Sequence, residues 1–272
     1  MKTGERVYRH SIVARASHWL WTIAMLVLVM SGLQIFNAAP YLDASDKSNP
    51  AKRVLSIDGG TPTGASAPVG RTTLFGHTFT TTGILGYTSD GAGGRAARAF
   101  PGSITLPGYQ SLADGRRWHF FFGWFLTLAL FAYVIGGLIR KDIRELWLTR
   151  RDIAGLIPMQ LYYLKLRKEP PPHGKYNPLQ KVTYLIVLFV MMPLIVLSGL
   201  ALSPGVDAFA GPLVSVFGGR QFARLWHFVF MSIFIVYFVT HMILVFATGA
   251  WNNVRSMVTG WYRLHDGDGV GV

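Results

Sequence analysis

The 272-residue chain contains no cysteine and only 13 acidic side chains. Without cysteine there can be no disulfide, no thiolate-held iron–sulfur cluster and no covalent haem attachment through a Cys-x-x-Cys-His motif. No Asp or Glu falls inside any long apolar run, which argues against zinc or copper handling by acidic or thiolate ligands within a membrane. The scarcity of acids leaves a net charge of +13. In a membrane protein that excess reads as basic residues retained at headgroups and in cytoplasmic loops, so no nucleic-acid partner is inferred.

What is abundant is apolar surface, at 51% of residues. Four runs, about residues 16–36, 118–139, 179–202 and 225–246, are each long enough to cross the lipid bilayer. The first is too long for the core of a signal peptide and reads as a retained span. The expected fold is therefore all-α, an integral membrane four-helix bundle forming a single domain over residues 1–272. Between the first and second runs, residues 37–117 are rich in Gly, Thr, Ser and Pro and read as a long irregular loop. Within it, Thr72 to Tyr87 has the Thr, aromatic and Gly pattern of a short hairpin, and His77 reads as a surface histidine. The connection after the second run carries nine Lys or Arg and the turn after the third carries two. This bias places both termini in the cytoplasm and the long loop on the outer face of a bacterial inner membrane. Ile153 to Leu166 reads as an amphipathic piece lying in the interface.

Histidines inside the apolar runs carry the functional signal, because an imidazole in a span is costly unless it faces the bundle interior and has a partner. His227 and His241 share the last run, 14 residues apart. On a helix that is a rise of about 21 Å and a rotation about 40° short of four turns, so both face the same way. His18 starts an outward run and His241 ends an inward one; His119 and His227 each start inward runs. The four thus form two pairs at two depths, His18 with His241 on the cytoplasmic side and His119 with His227 on the outer side. Two neutral imidazoles from facing helices are what a six-coordinate haem iron needs, and filling both axial positions favours electron transfer. Arg15 beside His18, and Arg116, Arg117, Arg220 and Arg224 beside the outer pair, suit charge-assisted hydrogen bonds to haem propionates. Gly32, 14 residues beyond His18, either opens room for a flat macrocycle or serves helix packing. Trp251, Asn252 and Asn253 are candidates for a quinone site near the cytoplasmic pair.

The four-run layout, Arg15-Ala-Ser-His18-Trp19, Arg116-Arg117-Trp118-His119, and His227 with His241 on one helix resemble the bacterial di-haem cytochrome b (cytochrome b-561) family over roughly residues 6–262. That family provides membrane subunits to nickel hydrogenases, formate dehydrogenases and thiosulfate reductases. The phrases LPGYQSLADGRRWHFFF, FGGRQFARLWHF and GAWNNVRSMVTGWY are similar to members that accompany molybdopterin oxidoreductases. The resemblance implies two haem b groups, pairing of the first helix with the distal histidine of the fourth and of the second with the proximal one, and exchange of electrons between quinone and a soluble molybdopterin-type oxidoreductase on the outer face. A self-contained superoxide:quinone oxidoreductase of the same family is the alternative it leaves open, and the long loop speaks against that alternative.

Overall fold

A computed structural model describes residues 4–140, 142–174 and 176–264. Four helices are long and apolar enough to span a membrane: α1 (Ile12–Phe36), α2 (Leu112–Ile139), α4 (Pro178–Leu202) and α5 (Arg220–Ala247). Each begins several residues earlier than the apolar run alone suggests, or, for α4, one residue earlier. Among the shorter helices are α3 (Arg150–Tyr163) and α6 (Ala250–Thr259). The amphipathic piece is α3, shifted a few residues towards the N-terminus by a capping box in which Thr149 and Asp152 each satisfy the other's backbone N–H.

The third span is not uniform. Val187–Met191 forms a π turn just before Pro193. A proline ring clashes with the carbonyl four residues back, here Phe189, and a wider turn at that point relieves the conflict.

The connection between α1 and α2 is folded into strands, contrary to the irregular loop expected from its composition. Strands β2 (Tyr41–Asp43), β3 (Arg53–Gly60), β4 (Val69–Leu74) and β5 (His77–Thr80) form an antiparallel sheet in that order. Strands β6 (Gly86–Ser89) and β7 (Arg95–Arg98) form a hairpin beside it. The hairpin expected within Thr72 to Tyr87 is the β4–β5 pair, and His77 lies exposed on β5. The glycines that read as disorder have a packing role. A Cβ on Gly59 would lie 1.9 Å from the Gly86 carbonyl oxygen, and one on Gly70 would lie 2.1 Å from that of Leu85, so bare backbone is what lets the hairpin lie on the sheet.

By its contacts the chain divides into two compact units. The terminal unit comprises Met1–Leu20, Leu128–Pro193 and Phe234–Val272. In it, β1 (Arg6–Tyr8) pairs antiparallel with β8 (Trp261–Arg263), and the buried Asp152 carboxylate meets Lys181 Nζ at 2.9 Å. The loop unit comprises Trp21–Thr127 and Leu194–Ile233. Its core gathers Phe36, Leu42, Ile57 and Ala99 against Leu85, Phe100, Leu225 and Phe228; each fully buried large side chain contributes about 1.5–3 kcal/mol. Polar groups fasten the sheet region to the end of α1. Arg98, 3% exposed, donates to Gln34 Oε1 at 3.0 Å, Thr105 Oγ1 at 2.9 Å and the Gly108 carbonyl at 2.8 Å. Asn37 Oδ1 accepts from the Phe100 N–H at 2.7 Å. Asp43, fully buried, accepts from Arg53 Nε and the Asn49 N–H, both at 2.9 Å.

Candidate functional site

In the loop unit, α2 and α5 bring His119 and His227 face to face with ring centres 6.0 Å apart and planes at 71°. Behind each ring stands a serine followed by a glycine. Ser31 Oγ lies 3.1 Å from His119 Nδ1, and Ser198 Oγ lies 2.9 Å from His227 Nδ1. A Cβ on Gly32 would sit 3.3 Å from His119 Cε1, and one on Gly199 would sit 3.2 Å from His227 Cε1. The missing side chains therefore let each imidazole lie directly on the neighbouring helix. Gly32 packs against the histidine of the second span and also lines the cavity described next.

Both rings open onto a cavity of about 480 Å³ with mainly apolar walls, also lined by Gly123, Arg116, Arg220 and Arg224, within the range of sites that hold small molecules and cofactors. Three of the four arginines expected here thus reach the cavity. Arg117 does not line it; it pairs with Asp114 at 3.3 Å and is 82% exposed. Arg224 donates to the Ala39 carbonyl and lies over the rings of Phe36 and Tyr41, while Arg220 donates to the Leu202 carbonyl at 3.0 Å.

In the terminal unit, α1 and α5 bring His18 and His241 together with ring centres 6.3 Å apart and planes at 55°. Here the surroundings are aromatic. Trp19 stands edge-on to His18 at 5.2 Å, and Tyr237 stacks on His241 at 6.0 Å. Arg15 donates to the Val258 carbonyl, and Trp19 Nε1 to that of Met257 at 3.0 Å, so both hold α6 against the start of α1. The polar groups expected to bind quinone have folding roles. Asn252 closes a pair of hydrogen bonds with the Arg263 backbone, at 2.7 and 3.1 Å, and accepts from Arg255 at 2.8 Å. Asn253 donates to Thr248 Oγ1 at 3.0 Å. Trp251 is 80% exposed.

The residues present fit a haem iron. A metal–imidazole bond is about 2.0–2.1 Å, and with C–N bonds of about 1.33 Å a ring nitrogen stands about 1.1 Å from the ring centre. Two imidazoles on opposite sides of one metal therefore place their centres about 6.3 Å apart, and both pairs match. Among the described residues no group of three or more His, Cys, Asp or Glu could hold a metal.

Sequence reasoning missed Ser31 and Ser198, although the signal was present as an internal repeat. Ser31-Gly32-Leu33 recurs as Ser198-Gly199-Leu200, and Arg116-Arg117-Trp118-His119-Phe120 recurs as Arg224-Leu225-Trp226-His227-Phe228. Each half supplies a serine–glycine helix followed by a histidine helix.

Four apolar spans with paired imidazoles on facing helices define a membrane cytochrome of the b type. The chain belongs to the prokaryotic cytochrome b561 family, whose model matches residues 9–260. It is thus a haem-b membrane protein of electron transfer. It is similar to the putative protein-methionine-sulfoxide reductase subunit YedZ1 of Azospira oryzae, at 25% identity over 236 residues, 85% of this chain and 86% of that protein.

Proposed function

We propose that this chain carries electrons through two haem b groups between the quinone pool and a soluble, molybdopterin-type oxidoreductase. One haem is held by His18 and His241, the other by His119 and His227. The supporting observation is the spacing of the ring centres, 6.3 and 6.0 Å, at two separate imidazole pairs. A bound haem supplies a one-electron couple. His18 with His241 and His119 with His227 would hold these groups, so the protein's own task is to hold, orient and shield each of them. Arg116, Arg220 and Arg224, lining the cavity beside His119 and His227, offer charge-assisted hydrogen bonds to the propionates; Arg15 takes that part beside His18.

The soluble partner docks on the outer face, on the folded connection between α1 and α2. The similarity to a subunit of a protein-methionine-sulfoxide reductase supports a partner that is itself a reductase. The β4–β5 hairpin presents Leu74, Phe75 and Phe79 to solvent, a surface suited to contact. Quinone exchanges near the cytoplasmic pair, where Trp251 supplies an aromatic surface; both termini face the cytoplasm.

The test is quinol-driven turnover of the complex isolated from its native membrane. Shortening the β4–β5 hairpin should leave both haem spectra intact while uncoupling quinol oxidation from the partner's substrate. Superoxide-driven quinone reduction by the isolated chain, with no partner present, would contradict this reading.

A further inference from the structure

We propose that Ser31 and Ser198 are positioning residues for the haem of the loop unit, each fixing the tautomer and ring plane of one axial histidine from the helix behind it. The inference rests on the assignment of His119 and His227 as ligands and adds what holds them. Both serines are fully buried. A serine in a helix donates its hydroxyl hydrogen back to its own chain. Ser31 does so to the Val27 carbonyl at 2.6 Å, and Ser198 to that of Ile195 at 3.1 Å. With its hydrogen committed, each hydroxyl oxygen faces the imidazole as an acceptor. The proton of each ring must then sit on Nδ1, which leaves the Nε2 lone pair for the metal.

The geometry is duplicated. The carbonyl three residues before each serine, Leu28 for Ser31 at 3.3 Å and Ile195 for Ser198 at 3.1 Å, lies within reach of its hydroxyl. The glycine one residue after each serine admits the ring edge. Two independent helices thus present the same hydroxyl and bare Cα to two histidines. In an apolar span there is no water to satisfy a ring N–H, and a hydrogen bond to Nδ1–H raises the basicity of the coordinating nitrogen. A more basic ligand favours ferric over ferrous iron, so these serines lower the potential of this haem as well as orient its ligands.

The experiment uses the full chain in lipid nanodiscs, with optical redox titration and electron paramagnetic resonance of the ferric state. Ser31→Ala and Ser198→Ala should each raise the potential of the same haem. A tenfold loss of ferric preference corresponds to about 59 mV for a one-electron couple. Each should also move the largest g value of that haem, which reports ligand-plane orientation, while the His18–His241 haem stays unchanged. Ser→Thr at either site, which retains a hydroxyl, should recover the potential. Should Ser31→Ala assemble poorly, Ser31→Cys keeps a weak acceptor in place and should give an intermediate shift. Ser232→Ala is the control for general helix effects, because Ser232 also bonds its own helix, at the Phe228 carbonyl, 2.9 Å away. Unchanged potential and g values in both alanine variants would overturn the proposal, as would an equal shift in Ser232→Ala. His119→Ala separates the two levels. If it leaves this haem intact, the ligand assignment has failed; if it removes the haem while Ser31→Ala moves nothing, the serine role alone has failed.

Discussion

In the loop unit each imidazole rests on a serine and a glycine of a neighbouring helix, whereas in the terminal unit the two imidazoles sit among Trp19 and Tyr237. The difference follows from the repeat. His119 and His227 are the same position in the two halves, so whatever backs one backs the other. His241 lies 14 residues past His227, but the residue 14 past His119 is Tyr133. His18 lies 13 residues before Ser31, and Tyr184 lies 14 before Ser198 with the π turn between; a wider turn takes up the extra residue, making Tyr184 the counterpart of His18. The terminal pair therefore takes one histidine from each half at non-equivalent positions, and tyrosines occupy the two positions left over. One duplicated scaffold thus supports a symmetric centre and an asymmetric one, so the two should respond to substitution differently.

The largest separation of the two centres is expected from the glycines. Gly32→Ala and Gly199→Ala each push a methyl to within 3.3 Å or less of the ring, displacing it by a few tenths of an ångström. Haem loss from the loop unit should accelerate on the order of tenfold, the low end for groups that orient a ligand. Transfer of haem to an apoprotein acceptor, followed optically, should show that the other haem leaves at its original rate.

An acid titration sharpens the comparison next. Burial raises the Asp43 carboxyl, but hydrogen bonds from Arg53, Asn49 and Ser48 outweigh it and hold the group below its ordinary range. Asp152 in the terminal unit behaves alike: burial raises it, and Lys181 with Thr149 brings it down further. A carboxyl lowered in the folded state stabilises above its unfolded pKa of about 3.9, and that contribution is lost as pH falls through the lower folded value. Both haem spectra should therefore collapse with acid below about pH 4. Asp43→Asn should flatten that dependence for the loop unit only, and Asp152→Asn for the terminal unit only.

The smallest effect is expected at the arginines. Arg116 lies three residues before His119, and Arg224 three before His227, so each shares a helix face with its histidine, and both line the cavity. Arg117, two residues away, is turned off that face and held in an exposed, solvent-screened pair with Asp114. Arg117→Ala should leave both potentials unmoved in a redox titration, whereas Arg116→Ala should move that of the loop unit.

The same spacing argument shows what was legible from residue order. Four apolar runs and four histidines sufficed to foresee the spans and which rings meet, because helix periodicity and chain direction determine both. Arg116 and Arg117 were distinguishable by spacing to His119 alone. The sheet region was not legible, since its glycines mark close backbone approach and composition cannot separate that from flexibility. A lone serine in an apolar helix carries little signal; Ser31 and Ser198 become visible only when the two Ser-Gly-Leu segments are set side by side. Asn252 and Asn253 stand beside the terminal pair in the chain, but strand β8, which only the fold brings near, claims the first.

Haem content in double variants, measured by the pyridine haemochrome assay, tests the pairing most directly. The account predicts two haems per chain in the unaltered protein and one in each single His→Ala variant. His119→Ala combined with His227→Ala should still retain one haem, because both act on the same centre, whereas His18→Ala combined with His227→Ala should retain none. Loss of both haems in the first double variant, or a haem surviving in the second, would contradict it.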